Sequence, residues 1–355
     1  MKAENNTMTI DDFLNQDTEW LRGTGPSANI VMSSRTRLAR NIDKVPFSNW
    51  ANKKQLEDVL NMVEDAVRRC SFLKNALFVR LKNLSEVDRI FLVERHLMSP
   101  EHAKNADYKA LIVDPREMVS IMVNEEDHLR IQVMQSGLNL AECWHMINEI
   151  DTELSKSLSF AFSAKWGYLT ACPTNVGTGL RGSTMLHLPA LVFTGQIGKI
   201  LQAISKLGMN VRGLYGEGTE AMGNIFQISN QISMGITEED VVDNIERITN
   251  QLISREDATR KMLVTKNKEG LFDRVSRAYG TLKSAHIINS NETVALLSAI
   301  RLGVDLGIIK NMDRRTVNEL FLLTQPAHLQ KREGKLLNAN ERDVKRADIV
   351  KERLK

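Results

Sequence analysis

Four segments of this 355-residue chain carry side chains able to handle a polyanion and a cation together. They are Ser33-Ser-Arg-Thr-Arg-Leu-Ala-Arg-Asn41, Asn124-Glu-Glu-Asp-His-Leu-Arg130, Cys172-Pro-Thr-Asn-Val-Gly-Thr-Gly-Leu-Arg-Gly182 and Arg212-Gly-Leu-Tyr-Gly-Glu-Gly-Thr-Glu220. Arginine forks bind phosphate oxygens bidentately, so they suit a phosphoryl donor with several negative charges. Phosphoryl transfer then depends on positioning and on charge stabilisation, aided by a metal ion. A guanidinium as acceptor poses the opposite problem, being cationic and reluctant to lose its proton. Two carboxylates converging on it would align the attacking nitrogen, and one could take its proton. A thiolate would add negative charge, and a cysteine among arginines favours that form.

Each feature has an ordinary explanation when taken singly. Arg35, Arg37 and Arg40 could be solvated charge at a strand end. The pair Glu125/Glu126 could sit in an exposed turn. Cys172 alone is more often a small buried hydrophobe, and His96 a surface or core histidine. Their joint presence in one chain reverses those odds. The match of Gly177-Thr-Gly-Leu-Arg-Gly182 to a dinucleotide fingerprint is rejected, because Leu201 to Lys206 offers no acidic residue at the second strand. No P-loop lysine motif or protein-kinase signature is present. Neither the histidines nor the three cysteines have zinc-type spacing, so no protein-bound metal is expected.

The order and content of the four segments resemble the active-site motifs of the phosphagen (guanidino) kinase family, over roughly Asn29 to Asp240. The resemblance implies that Arg35, Arg37, Arg130, Arg181 and Arg212 clamp the phosphates of ATP. It implies that Glu126, with Glu217 on a mobile loop, holds and activates the acceptor guanidinium, and that Cys172 contacts it. His96, in Val93-Glu-Arg-His-Leu97, matches a position near the adenine. Glu125 is left with a supporting role towards magnesium through water. Mg2+ is expected to arrive mostly bound to the nucleotide.

Two features narrow the acceptor to arginine side chains of proteins. The first arginine motif begins at Ser33, leaving no room for the helical domain that covers small acceptors in this family. Near the other end, Asn340-Glu-Arg-Asp-Val-Lys-Arg-Ala347 resembles the Arg-Asp-x-x-Arg-Ala element of bacterial protein-arginine kinases. That resemblance implies an allosteric phosphoarginine site formed by Arg342, Asp343 and Arg346. The two arginines are four apart and share a helix face. Val211 to Glu217 and Gln325 to Gln330 resemble the same subfamily. A kinase for free arginine or another small guanidine, and a phosphoarginine-binding adaptor without catalysis, remain alternatives. The subfamily resemblance also points to a homodimer and leaves room for an activator protein.

These residues need elements to position them. Helical periodicity is predicted for Lys53 to Cys70, Leu140 to Leu154, Glu292 to Leu306 and Arg315 to Leu323, with Asn291 and Asp313 as caps. Strands are predicted near Ala76 to Leu81, Met118 to Val123, Leu129 to Met134 and Ile225 to Ser229. The glycine-rich loop at 172–182 is expected to lead into a helix near Leu186. The fold class is α/β (α+β): a curved, mainly antiparallel sheet flanked by helices, plus a C-terminal helical domain. The expected division is an N-terminal tail 1–26, a catalytic domain 27–260 and a helical domain 261–355.

A composition of 42% hydrophobic and 26% charged residues is that of a globular protein. A net charge of +3 gives no cause to expect nucleic acid, and no run is long and apolar enough for a membrane. Met1 to Thr18 lacks a signal-peptide pattern, so a cytoplasmic setting is expected.

Overall fold

The computed structural model describes residues 8–213 and 221–354. In chain order its elements are β1 (Val31–Arg40), α1 (Lys53–Arg69), β2 (Leu77–Arg80), α2 (Glu86–Glu94), α3 (Pro100–Ala103), β3 (Ala110–Val113), β4 (Val119–Val123) and β5 (Leu129–Ser136). There follow α4 (Leu140–Ser155), β6 (Phe162–Ser163), β7 (Gly167–Tyr168), β8 (Leu180–His187), α5 (Pro189–Phe193), α6 (Ile197–Lys206), β9 (Met209–Gly213) and β10 (Ile225–Asn230). The last are the helices α7 (Glu238–Lys266), α8 (Lys268–Ser284), α9 (Ser290–Asp305), α10 (Arg314–Leu323), α11 (Pro326–Glu333) and α12 (Ala339–Arg353).

Eight strands form one antiparallel sheet in the order β2-β3-β4-β5-β1-β8-β10-β9, and β6 and β7 form a separate hairpin. Successive strand residues face opposite sides, which divides the labour of the sheet. On one side Leu38, Ile131, Val133, Leu180, Leu186 and Ile228 pack with α1, α4 and α7 in the main core. Thr36 Oγ1 donates to the Cys143 carbonyl on α4 at 3.0 Å, and the Thr184 and Thr249 hydroxyls meet at 2.9 Å, so the polar groups on this side are also satisfied.

The other side is split along its length. Met134 and Met185, together with Met32 and Ile225, are buried under Trp20, Leu21 and helices α8 to α12. Phe13, Phe91, Leu92, Leu111 and Met122 form a third cluster at the β2–β4 end. Between these covered regions the same side carries arginines.

Several sequence expectations are corrected. No helix begins at Leu186: residues 180–187 form β8, with Arg181, Ser183 and Met185 on one side and Gly182, Thr184 and Leu186 on the other. The two-residue alternation, masked in the sequence by adjoining glycine, outweighs the apolar run that follows, and helix resumes only at Pro189. Asn289, not Asn291, caps α9 by accepting from the Glu292 amide, whereas Asp313 caps α10 as expected. Short strands β3 and β9 and the full length of β1 went beyond what local pattern showed. The segment expected as a tail buries Phe13 and Trp20, and the expected boundary at residue 260 falls inside the unbroken α7.

Candidate active site

Antiparallel pairing places Arg37 of β1 directly opposite Arg181 of β8 and Gln132 of β5, while Arg35 faces Ser183 and Met134. Arg130 is opposite Ala39, next along the same side, and Arg212 of β9 faces Gln227 of β10. Facing residues in an antiparallel pair project to the same side. All five arginines expected at the phosphates therefore share one side of the sheet.

The electrostatic signature follows from crowding. Burial, then the charges of Arg130 and Arg181, lower the Arg35 guanidinium to about 10. Arg37 is pushed down by burial and by Arg35, Arg130 and Arg181, and Arg181 by burial, Arg212 and Arg130. The buried Nε atoms of Arg37 and Arg181 have no acceptor among the described residues. Like charges gathered with unsatisfied donors suit a polyanionic ligand.

His96 lies beside this group, its ring edge-on to Trp20 at 5.0 Å and its carbonyl accepting from Gln132 Nε2 at 2.8 Å. Burial and the Arg35 charge lower its imidazole to about 3, so it stays neutral.

The acidic turn between β4 and β5 separates the roles of its carboxylates. Glu125 accepts from Arg130 Nη1 at 2.6 Å and from Ser99 Oγ at 2.7 Å, and its carboxyl is lowered although burial opposes this. Each of its oxygens thereby receives one donor, which fixes the carboxylate beside Arg130 and leaves further acceptor sites on both. Glu126 faces the cleft and is raised by burial and by the neighbouring Asp127 and Glu125 charges, while a hydrogen bond from Cys172 opposes the rise. Cys172 Sγ lies 3.0 Å from Thr174 Oγ1. A shared cleft is lined by Arg37, Arg130, Arg181, Glu126, Cys172 and Asn175.

Asp127 holds the two loops together, a role sequence reasoning missed. Its Oδ1 accepts from Asn41 Nδ2 at 2.6 Å and from the Ala171 amide at 2.7 Å. Asn41 Oδ1 in turn accepts from the His128 amide at 2.9 Å. The adjacency Glu125-Glu126-Asp127 was visible, but only pairing showed that the third carboxylate faces inward. Arg40, which could have been solvated charge at a strand end, is instead buried. It points through the sheet to Asp151 on α4, with Nη2 to Oδ2 at 2.9 Å, and stacks on Tyr168 at 3.4 Å. Gly179, at φ +67°, passes so close that a Cβ would lie 2.6 Å from Arg40 Nη1.

Glu217 lies outside the described residues. The three C-terminal residues fall on α12, away from this cleft. Arg346 is buried, donating from Nε to the Thr324 carbonyl and from Nη1 to the Ile288 carbonyl, each at 2.8 Å, and pairing with Asp343. Arg342 is half-buried and gives Nη1 to the Leu337 carbonyl at 2.7 Å.

Comparison with known proteins places the chain. Residues 58–259 match the family described as ATP:guanido phosphotransferase, C-terminal catalytic domain, and residues 268–355 match the protein-arginine kinase McsB C-terminal domain. The protein-arginine kinase of Halothermothrix orenii is 48% identical over 98% of this chain and 99% of its own length. That of Symbiobacterium thermophilum is 49% identical over 95% and 97%. The chain belongs to the protein-arginine kinase family. Its fold is also that of solved guanidino kinases. A lombricine kinase structure matches with TM-score 0.57 at 24% identity, covering 67% of this chain and 68% of its own. The duplicated taurocyamine kinase from Schistosoma mansoni matches with TM-score 0.58 at 23% identity, over 86% of this chain and 50% of its own. Among the described residues no helix is long and apolar enough to cross a membrane, and no cluster of three or more His, Cys, Asp or Glu is placed to hold a metal ion.

Proposed function

We propose that this chain transfers the γ-phosphoryl group of ATP to a guanidinium nitrogen of arginine side chains in proteins, giving N-phosphoarginine and ADP. One observation carries the site assignment: unsatisfied guanidinium donors and an uplifted carboxyl, Glu126, line the same cleft. Arg35, Arg37, Arg130, Arg181 and Arg212 receive the phosphates, and Arg130 is itself oriented by Glu125. His96 closes the nucleotide side. Glu126 receives the acceptor guanidinium and accepts its proton as the nitrogen attacks. Its raised affinity for a proton narrows the gap to a strongly basic guanidine. Cys172 supplies a second polar contact to the acceptor, and Glu217 a second carboxylate. Magnesium bound to the nucleotide would supply charge stabilisation to the transferring phosphoryl group.

Beyond the site, the reading divides the molecule into a catalytic unit of residues 27–260 and a helical unit of 261–355, with α7 carried from one into the other. It places the protein in the cytoplasm as a homodimer, open to an activator protein. At the phosphoarginine element the engaged donors of Arg346 fit a positioning role, holding α12 on the Ile288 and Thr324 carbonyls. Arg342 is the residue better placed to meet a phosphoryl group.

Replacing Glu126 by Gln keeps the shape and removes the base. Turnover is expected to fall by roughly 10²–10⁴-fold, the usual contribution of general base catalysis, with ATP affinity close to wild type. Unchanged turnover would remove Glu126 from the reaction.

A further inference from the structure

An apolar groove lies on the far side of the loop that carries Cys172. It has a volume of about 280 Å3 and is lined by Phe162, Trp166, Tyr168, Gly177, Ser233 and Met234 among others. Phe162 is 61% exposed, Trp166 47% and Met234 44%. Exposed aromatic and aliphatic side chains gathered at one place mark an interaction surface rather than ordinary surface composition.

The platform is well anchored. Phe162 packs edge-on to Tyr168 at 5.2 Å, and Tyr168 is held from beneath by the buried Arg40. The Tyr168 amide donates to the Gly177 carbonyl at 2.8 Å, which ties the hairpin to the loop. From the other wall, Ser233 Oγ donates to the Thr174 and Val176 carbonyls at 2.8 and 3.0 Å. The aromatic side chains are thus presented on braced backbone, so little side-chain and loop freedom is lost when something docks on them.

Position identifies the occupant. Thr178 lines the groove and its neighbour Gly179 lines the catalytic cleft, as Gly177 lines the groove and Asn175 the cleft. Groove and cleft therefore adjoin along one loop, a distance that a few extended residues bridge at roughly 3.3–3.6 Å each. An extended polypeptide whose arginine occupies the cleft spans that distance in a few residues. The volume is small for a free metabolite, since pockets for small molecules run to roughly 300–1,000 Å3, but it suits one or two side chains.

Resting on the proposed protein-arginine kinase activity, we propose that Phe162, Trp166 and Met234 form a substrate subsite that takes an apolar side chain two to four residues from the target arginine. The surface would then set which arginines in a polypeptide are modified, without touching the reacting atoms.

The test uses the full-length protein and two peptides of one arginine each, with either leucine or glycine at those flanking positions. Wild type is expected to favour the leucine peptide by about tenfold in kcat/KM, mostly through KM, a factor equivalent to about 1.4 kcal/mol. In the variant carrying Phe162→Ala and Trp166→Ala the preference should collapse to within about twofold, with the glycine peptide turned over at the wild-type rate. A Trp166→Phe variant should keep most of the preference. Equal use of both peptides by wild type, or an undiminished preference in the double variant, would overturn the subsite. So would an undiminished preference in a double variant that sediments as a smaller species, which would give the groove to a second copy of this chain. Failure of wild type to label either peptide would overturn the kinase reading itself, and the subsite with it.

Discussion

At the scale of single residues, two neighbouring carboxylates are given opposite characters by what they touch. Glu125 is drawn into an ion pair with Arg130 and held low, whereas Glu126 is left facing the cleft and pushed up. The family resemblance gave the two carboxylates different roles, but the physical cause of the difference was not legible, because it depends on where pairing and packing bring Arg130 and Ser99. In the proposed reaction Cys172 contributes a polar contact and no bond that is made or broken. Cys172→Ala should therefore slow transfer by roughly 10–100-fold, as expected for losing a hydrogen bond to a charged group worth about 1.5–3 kcal/mol. Steady-state rates with saturating ATP check this, and wild-type rates would return Cys172 to a packing role.

At the scale of elements, the positions of the arginines follow from a two-residue period. Arg35 and Arg37 on β1, Arg181 on β8 and Arg130 on β5 share a side because register aligns them. The close spacing of Arg35, Arg37 and Arg40 was legible as a motif, but the strand that carries them was not. Arg40 was not separable from the other two, although its even position sends it through the sheet to Asp151. That pair also supports the hairpin bearing Phe162 and Trp166, through Tyr168. Asp151→Ala would leave the Arg40 charge buried without its partner, and should cost about 3–5 kcal/mol in stability. Denaturant unfolding measures it, and a loss below about 1 kcal/mol would show that Arg40 finds another partner, since exposed pairs are worth no more than that. The short strand β3 escaped pattern reading for a related reason. Its four residues are wholly buried, and a short apolar run carries no period that separates strand from helix.

Across the whole molecule, the helical region covers the methionine end of the sheet side whose other part carries the arginines. Its grip on the end of α2 is polar. Glu94 at the end of α2 accepts from the Ala327 and His328 amides at 2.8 and 3.0 Å, and from His328 Nδ1 at 2.7 Å. His328 Nε2 lies 3.4 Å from Arg95 Nη1, and Arg95 pairs with buried Glu117. Burial raises the Glu94 carboxyl to about 7, against those donors and the Arg346 charge. A carboxyl raised on folding adds stability that is fully present below its unfolded value near 4.5 and is lost as pH rises through about 7. Glu94→Gln should therefore flatten the fall in stability between pH 5 and pH 8 by roughly 3 kcal/mol, at about 1.4 kcal/mol per pH unit of altered affinity. Parallel denaturation curves for variant and wild type over that range would contradict it.

The same region separates two arginines that sequence treated as equals. Arg346→Ala strands the Thr324 and Ile288 carbonyls and should destabilise the protein by about 1–3 kcal/mol for each buried group left unpaired. Arg342→Ala should leave the midpoint of unfolding nearly unchanged while weakening any response to added phosphoarginine. The reverse pattern would place the ligand contact at Arg346. Helical periodicity announced α9 and α10, and the family resemblance marked Arg342 to Arg346. Which of the two arginines is buried was decided by α9, α10 and α12 meeting, beyond the reach of local pattern.

The most direct measurement is ATP-dependent phosphate incorporation into an unfolded, arginine-containing protein, run beside free arginine and followed by acid treatment. Acid-labile label on the protein, with little on free arginine, is the result expected of an N–P bond formed on protein side chains. Label that survives acid, or turnover confined to free arginine, would contradict it.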